Sequence, residues 1–255
     1  AEPQAALLER LKSEHAAGRI SAQRVDSVAR VLGDSTIGTP DEQTAQQLLE
    51  GIAPGYPASW VTLAKLLYDF PELGDVNKMM EYLENGRAAD QPRAELLLGR
   101  LYYEGKWVTP DAFKAEAHLK KAAATEISAH YYLGQIYRRG YLGQVYPQKA
   151  VDELLTAARG GQNSADFALA QLFSQGKGTK PDPVNAWVFA QLALTSETPQ
   201  ATELAQQLST TLPPEKLAGA KDLLAREQKV RGAAANQSVM AMQALQEEKD
   251  GEEAL

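Results

Sequence analysis

Histidine, the side chain that most readily binds metal or moves protons near neutral pH, occurs only at His15, His118 and His130. None is followed by a second His at the HExxH spacing that sets two ligands on one helix face, so no metal site is expected. His118 lies between Ala117 and Leu119 and reads as a surface residue or as packing between repeats. The chain has no cysteine, which excludes disulfides, thiolate metal sites and a cysteine nucleophile. Gly176-Lys177-Gly178-Thr179-Lys180 looks like the end of a phosphate loop, but the upstream Gly of that motif is missing, and the stretch reads as a helix-ending loop. Asn236-Gln237-Ser238 fits a glycosylation triplet, a pattern common by chance. The acidic residues are scattered, and no pair stands out as acid and base. The expectation is a chain with no catalytic residue, no metal and no cofactor.

Binding is the chemistry the residue types favour. Tyr137, Arg138, Arg139, Tyr141 and Tyr146 gather near one helix end, and Arg100, Tyr103 and Trp107 occupy the matching region one repeat earlier. Tyr, Trp and Arg are enriched in interface hot spots because they bring large contact areas with polar tips. Tyr102 and Tyr137 recur with the repeat and are assigned to its core. The candidate partner-binding residues are therefore Arg100, Tyr103, Trp107, Gln135, Arg138, Arg139 and Tyr141. Helical spacing puts Arg100, Tyr103, Gln135, Arg138 and Arg139 off the core face, on a concave surface of stacked first helices, with Trp107 and Tyr141 on adjoining loops.

The elements that must position these residues are repeats. Ala94, Leu98, Gly99, Tyr102 and Gly105 return as Ala129, Leu133, Gly134, Tyr137 and Gly140, and then as Ala165, Leu169, Ala170, Phe173 and Gly176. The steps are 35 and 36 residues, each spanning two helical patterns, which marks a helix-pair solenoid. Lys114-Ala115 and Leu119 return as Lys149-Ala150 and Leu154. Weaker copies lie upstream at Leu63, Ala64 and Leu67 and at Val28, Ala29 and Leu32. Second helices are expected to start at Thr39-Pro40-Asp41-Glu42, Asp75, Thr109-Pro110, Tyr146-Pro147 and Asp182-Pro183, where Thr or Asp caps a free N–H and Pro suits the first helical position. Thr39 with Glu42 has capping-box spacing. Gly99 and Gly134 fall inside helices at a cost of about 1 kcal/mol each, so close helix contact is expected there.

The fold expected is all-α: a right-handed α-solenoid of antiparallel helix pairs, with Ala115, Leu119, Ala150 and Leu154 buried between repeats. The array covers 1–230, with units near 21–57, 58–91, 92–127, 128–163 and 164–196 and capping helices over 198–230. A first helix over 3–17, with Pro3 in its first turn, ends a preceding repeat. Met79 and Met80 read as core filling. Residues 231–255, small, polar and acidic at the end, read as a flexible acidic tail. Within it Ser238 offers a cap for a short helix carrying Val239, Met242 and Leu245.

The bulk properties agree. Hydrophobic residues make up 44% and aromatics only 7%, as suits helices packed through Ala and Leu. A formal charge of −7 gives no general attraction to nucleic acid or anionic lipid. No apolar run approaches the roughly 18 residues that would span a bilayer, and no signal peptide opens the chain.

Units reading A-xxx-LG-xx-Y-xx-G and then KA-xxx-L-xx-AA resemble Sel1-like repeats, the longer relatives of tetratricopeptide repeats, most clearly over residues 94 to 193. The divergent early repeats and the closing LPPEKLAGAKDLLAREQ helix resemble the C-terminal part of the AlgK family of alginate-secretion outer-membrane lipoproteins. That resemblance implies a non-catalytic periplasmic scaffold at the outer membrane that binds the acetyltransferase AlgX and the alginate export barrel. The alternative is direct binding of an acidic polysaccharide along the concave face. The lipidated N-terminal Cys of the family has no counterpart here, so a soluble fragment without membrane contact of its own is expected.

Overall fold

The computed structural model describes residues 4–196 and 198–253, so Pro3 lies outside the described residues. The chain is all-helical apart from its loops, and among the described residues there is no strand. It forms two units, Ala1–Glu126 and Ile127–Leu255.

The first unit opens with α1 (Gln4–Ala16) and continues as three helix pairs: α2 (Ala22–Leu32) with α3 (Glu42–Ile52), α4 (Ala58–Asp69) with α5 (Val76–Ala88), and α6 (Pro92–Glu104) with α7 (Ala112–Ala122). The second holds two pairs, α8 (Ile127–Arg139) with α9 (Pro147–Arg159) and α10 (Ser164–Gln175) with α11 (Pro183–Ala193), followed by α12 (Pro199–Thr211) and α13 (Pro214–Glu253). Each unit is a stretch of α-solenoid.

Local chemistry sets the helix starts. Ser21, Asp41, Asp75, Asp111 and Asp182 each accept the backbone N–H three residues on, at 3.0 to 3.2 Å. Two starts differ from the sequence reading: Asp41 caps α3 in place of Thr39, and Asp111 caps α7, leaving Pro110 outside the helix. Asp41, two residues nearer the first turn than Thr39, caps the helix by accepting from the Thr44 N–H. Pro147 and Pro183 do stand in first turns. Four second-helix starts are also tied back to the preceding first helix. The N–H groups of Asp41, Asp111, Tyr146 and Asp182 donate to the carbonyls of Leu32, Tyr102, Tyr137 and Phe173 at 2.7 to 3.0 Å.

Packing inside each pair turns on small residues. A Cβ placed on Gly99 would meet the Leu119 side chain at 2.6 Å, and one on Gly134 would meet Leu154 at 2.5 Å. The helices approach closely there, as expected, and Ala115, Leu119, Ala150 and Leu154 are fully buried. Gly105, Gly140 and Gly176 end their first helices with positive φ of 68°, 74° and 63°, a region cheap only for glycine. Met79 is core, with Met80 packed against it.

The C-terminal helix departs from the expected tail. Backbone helix runs from Pro214 through Glu253 with no break at 230/231, so position 238 lies mid-helix and not at a helix start. Ala220, with Leu217 and Leu224, packs α13 into a cluster with Trp187, Val188 and Leu208, and the Trp187 indole N–H donates to Ser209 at 2.8 Å. Arg231 is held by ion pairs. Its guanidinium grips both oxygens of buried Asp166 on α10 at 2.9 and 2.8 Å and reaches Glu227 at 3.1 Å, while Glu227 takes a two-pronged bond from Arg159 on α9.

Candidate partner-binding surfaces

In the first unit one position of the first helices is cationic three times over: Arg30, Lys65 and Arg100, each 35 residues after the last. Each has a carboxylate one turn away on its own helix. Arg30 pairs with Asp26 at 2.6 Å, Lys65 with Asp69 at 3.1 Å and Arg100 with Glu104 at 3.4 Å. Asp26 is buried and also accepts the Ser59 hydroxyl at 2.7 Å, which fixes Arg30 in turn. Between α2, α4 and the start of α6 lies a groove of about 720 Å³. Ala29, Val61 and Leu66 give it an apolar floor, and Arg30, Lys65, Arg93, Asp34 and Asp69 supply charges along its rim. Its size and mixed lining suit an extended chain segment.

Arg100, Tyr103 and Trp107 lie beyond that groove. The Arg100 guanidinium stands 5.6 Å from the Tyr68 ring centre and the Lys106 ammonium 5.1 Å from it, so one buried ring serves two cations. Tyr103 is half-buried. Trp107 packs against the core, with its indole N–H shielded and unbonded, so it is less a projecting anchor than expected. Burial pushes the neighbouring Glu104 carboxyl above its ordinary range.

The second unit corrects the reading of two residues. Gln135 and Arg138, expected on an exposed face, are 4% and 9% exposed. The core face of α8 packs on α9, but α10 of the next pair covers the adjoining face, and that second contact leaves no sequence period of its own. The two join a polar chain along the helix: the Gln135 amide donates to the Tyr131 hydroxyl at 3.1 Å, and Arg138 Nε donates to the Gln135 carbonyl oxygen at 2.9 Å. Arg139 and Tyr141 are exposed as expected, with Arg139 donating to the Tyr141 hydroxyl at 3.3 Å.

Arg138 and Arg139 also line a recess of about 280 Å³ with Pro147, Gln171, Leu172, Gln175 and Lys177. Lys177 donates to the Arg139 carbonyl at 3.4 Å. Three cations and two amides line it. Sequence reasoning missed Lys177, having read it only as part of a loop, although it stands 36 residues after Tyr141. Arg30 and Lys65 were equally within reach by stepping back 35 residues from Arg100.

The histidines resolve as packing. His118 Nδ1 lies 2.6 Å from Glu95 and His130 Nδ1 lies 2.6 Å from Glu153. Glu95 and His130 are equivalent positions of successive repeats, as are His118 and Glu153, so the same cross-helix pair is made twice with its members exchanged. Tyr102 stacks on His118 at 5.9 Å. Among the described residues no group of three or more His, Cys, Asp or Glu could hold a metal ion. No helix among them is long and apolar enough to cross a membrane.

Sel1 repeats match residues 92–124, 127–160 and 163–195, where the helix pairs are most regular. Residues 92–195 thus form three Sel1-like repeats. Residues 1–53 match the AlgK tetratricopeptide repeat domain. The chain is 89% identical over 254 residues to the alginate biosynthesis protein AlgK of Pseudomonas syringae pv. tomato, covering 100% of this chain and 54% of that protein. It is 58% identical to AlgK of Pseudomonas aeruginosa, over 91% of this chain and 49% of that protein. The chain thus spans about half the length of these curated relatives. Two solved structures share the fold. A protective antigen of uropathogenic Escherichia coli with an SLR fold matches at TM-score 0.69 and 22% identity, over 87% of this chain and 48% of that one. A Sel1 repeat protein from Oxalobacter formigenes matches at TM-score 0.62 and 18% identity, over 81% and 88%. The Sel1 repeats position the recess of the second unit, whereas the groove of the first unit is built almost wholly from helix pairs that precede them.

Proposed function

We propose that this Sel1-like chain is a non-catalytic protein-binding scaffold of alginate modification and export. Its place is the periplasm, and a lipid anchor outside this chain holds the longer protein at the outer membrane. The observation that carries the reading is the repeated cationic position, at Arg30 and Lys65, on the rim of an apolar-floored groove. A groove of that kind takes up an extended acidic or amphipathic segment of a protein partner, with the rim charges setting register and encounter rate. The partners favoured are the acetyltransferase AlgX and the alginate export barrel, in keeping with the names of the relatives and the sequence resemblance. Arg139 and Tyr141 of the second unit offer a further exposed contact.

A second reading is favoured by one feature, the recess that Arg138, Arg139, Lys177, Gln171 and Gln175 line together. Such a lining suits the carboxylates of an acidic polysaccharide. Pulldown by the purified chain of purified AlgX and of the detergent-solubilised export barrel tests the first reading, with acidic oligosaccharide titrated in parallel. Retention of either protein without sugar supports the scaffold. Saturable sugar binding with neither protein retained would replace it by the second reading.

A further inference from the structure

The ion pairs around Arg231 mark where α13 leaves its packed stretch. Leu217, Ala220, Leu224, Glu227 and Arg231 alternate at steps of three and four residues along the face that meets the second unit. From residue 232 to residue 247 every side chain described is exposed. Helix continues to residue 253, a further 22 residues or about 33 Å. Along this stretch Ala235, Val239, Met242 and Leu245 follow at steps of four, three and three, within about 120° of one another around the helix. Met242 is 70% exposed and Leu245 62%. Large apolar side chains left this open on a folded helix mark a surface that gains from being covered.

The charges flanking the stripe indicate what covers it. Before it stand Arg226 and Lys229, and after it the run 247–253 holds five acids and one lysine. A helix basic at one end and acidic at the other complements itself when turned end for end. We propose that α13 pairs antiparallel with α13 of a second copy of this chain. In the register that sets Val239 of each copy against Met242 of the other, the two-fold axis passes between residues 240 and 241. Lys229 then falls opposite position 252, inside the partner's acidic run. Ala235 within the stripe, with Gly232 and Ala241 on its flanks, lets the two backbones approach closely. The interface is isologous, so it closes at two copies. The clasp of Arg159, Glu227, Arg231 and Asp166 then serves to hold each arm at a fixed angle to its own repeats.

Sedimentation velocity over a concentration series of the whole chain tests the pairing. The expected result is a reversible shift from monomer to dimer. Met242→Glu with Leu245→Glu weakens association at least about tenfold, because each buried apolar side chain lost is worth more than that factor. The melting temperature stays nearly unchanged, since both side chains are exposed in the single chain. Orientation is read by oxidation, which is clean in a chain with no native cysteine. Val239→Cys mixed with Met242→Cys gives a disulfide dimer, whereas Leu245→Cys alone gives none, its symmetry mate lying about 13 Å further along the axis in this register. A chain that stays monomeric throughout overturns the proposal. So does a dimer untouched by the two glutamates, or a Leu245→Cys disulfide, which reports parallel pairing.

Discussion

Replacing Arg231 with Met removes a cation bonded to two carboxylates in the second unit while keeping most of the side-chain volume. Asp166, 3% exposed, then loses both of its guanidinium bonds, and Glu227 keeps only Arg159. Stripping one partner from a buried pair costs about 3–5 kcal/mol, and partial exposure of Arg231 puts this case near the lower end, about 3 kcal/mol. For a chain of this size that corresponds to a fall of roughly 6–12 °C in melting temperature. Burial already pushes the Asp166 carboxyl above its ordinary range against the pull of Arg231, so without Arg231 the group takes a proton more readily still. The loss should therefore be largest at neutral pH and smaller near pH 5. Adding Asp166→Asn should recover part of it, because a neutral amide is less costly to leave unpaired. Urea unfolding at the two pH values for wild type, both single variants and the double variant supplies the cycle. A loss below about 0.5 kcal/mol for Arg231→Met, or one independent of Asp166, would refute the account of how α13 is held.

Gly134→Ala should destabilise, since its Cβ would meet Leu154 at 2.5 Å, whereas Gly219→Ala, with nothing within 4 Å in a helix, should stabilise by up to about 1 kcal/mol; paired thermal melts check both signs. Arg138→Ala should cost about 1–3 kcal/mol through loss of a buried polar link, while Arg139→Ala on the exposed side should cost under about 0.5 kcal/mol, as measured by denaturant midpoints. Burial alone would raise Glu95, but hydrogen bonds from Arg87 and His118 hold its carboxyl below the ordinary range. Its stabilisation is thus complete above the unfolded value of about 4.3 and is lost as pH falls through the lower folded value. Glu95→Gln should accordingly lose stability at pH 7 and much less near pH 3, as read by urea midpoints at each pH.

The repeats were legible because what each position demands is written in residue size. Gly99, Gly134 and Ala170 are small where a second helix presses in, and that demand returns with every repeat. The glycine terminators were legible for the same reason, since few other residues adopt positive φ cheaply. The burial of Gln135 and Arg138 was not, because polar residues linked among themselves carry no hydrophobic period. Lys65 and Arg30 were legible by the same 35-residue step that aligns Leu63 and Val28 with Leu98, but the step was applied to apolar positions alone. The role of Arg231 was hidden for a different reason. It stands where the composition turns small and polar, and its buried partner Asp166 is 65 residues away, a distance no periodicity signals.

The central claim is that the cationic first-helix surface of this chain binds a protein partner of alginate export. Calorimetric titration of AlgX into the wild-type chain and into the Arg30→Glu, Lys65→Glu variant, with folding of both checked by circular dichroism, addresses it most directly. The account predicts saturable binding to the wild type, weakened at least about tenfold by the charge reversals and falling with added salt. Absence of binding to the wild type, or binding indifferent to both reversals, would contradict it.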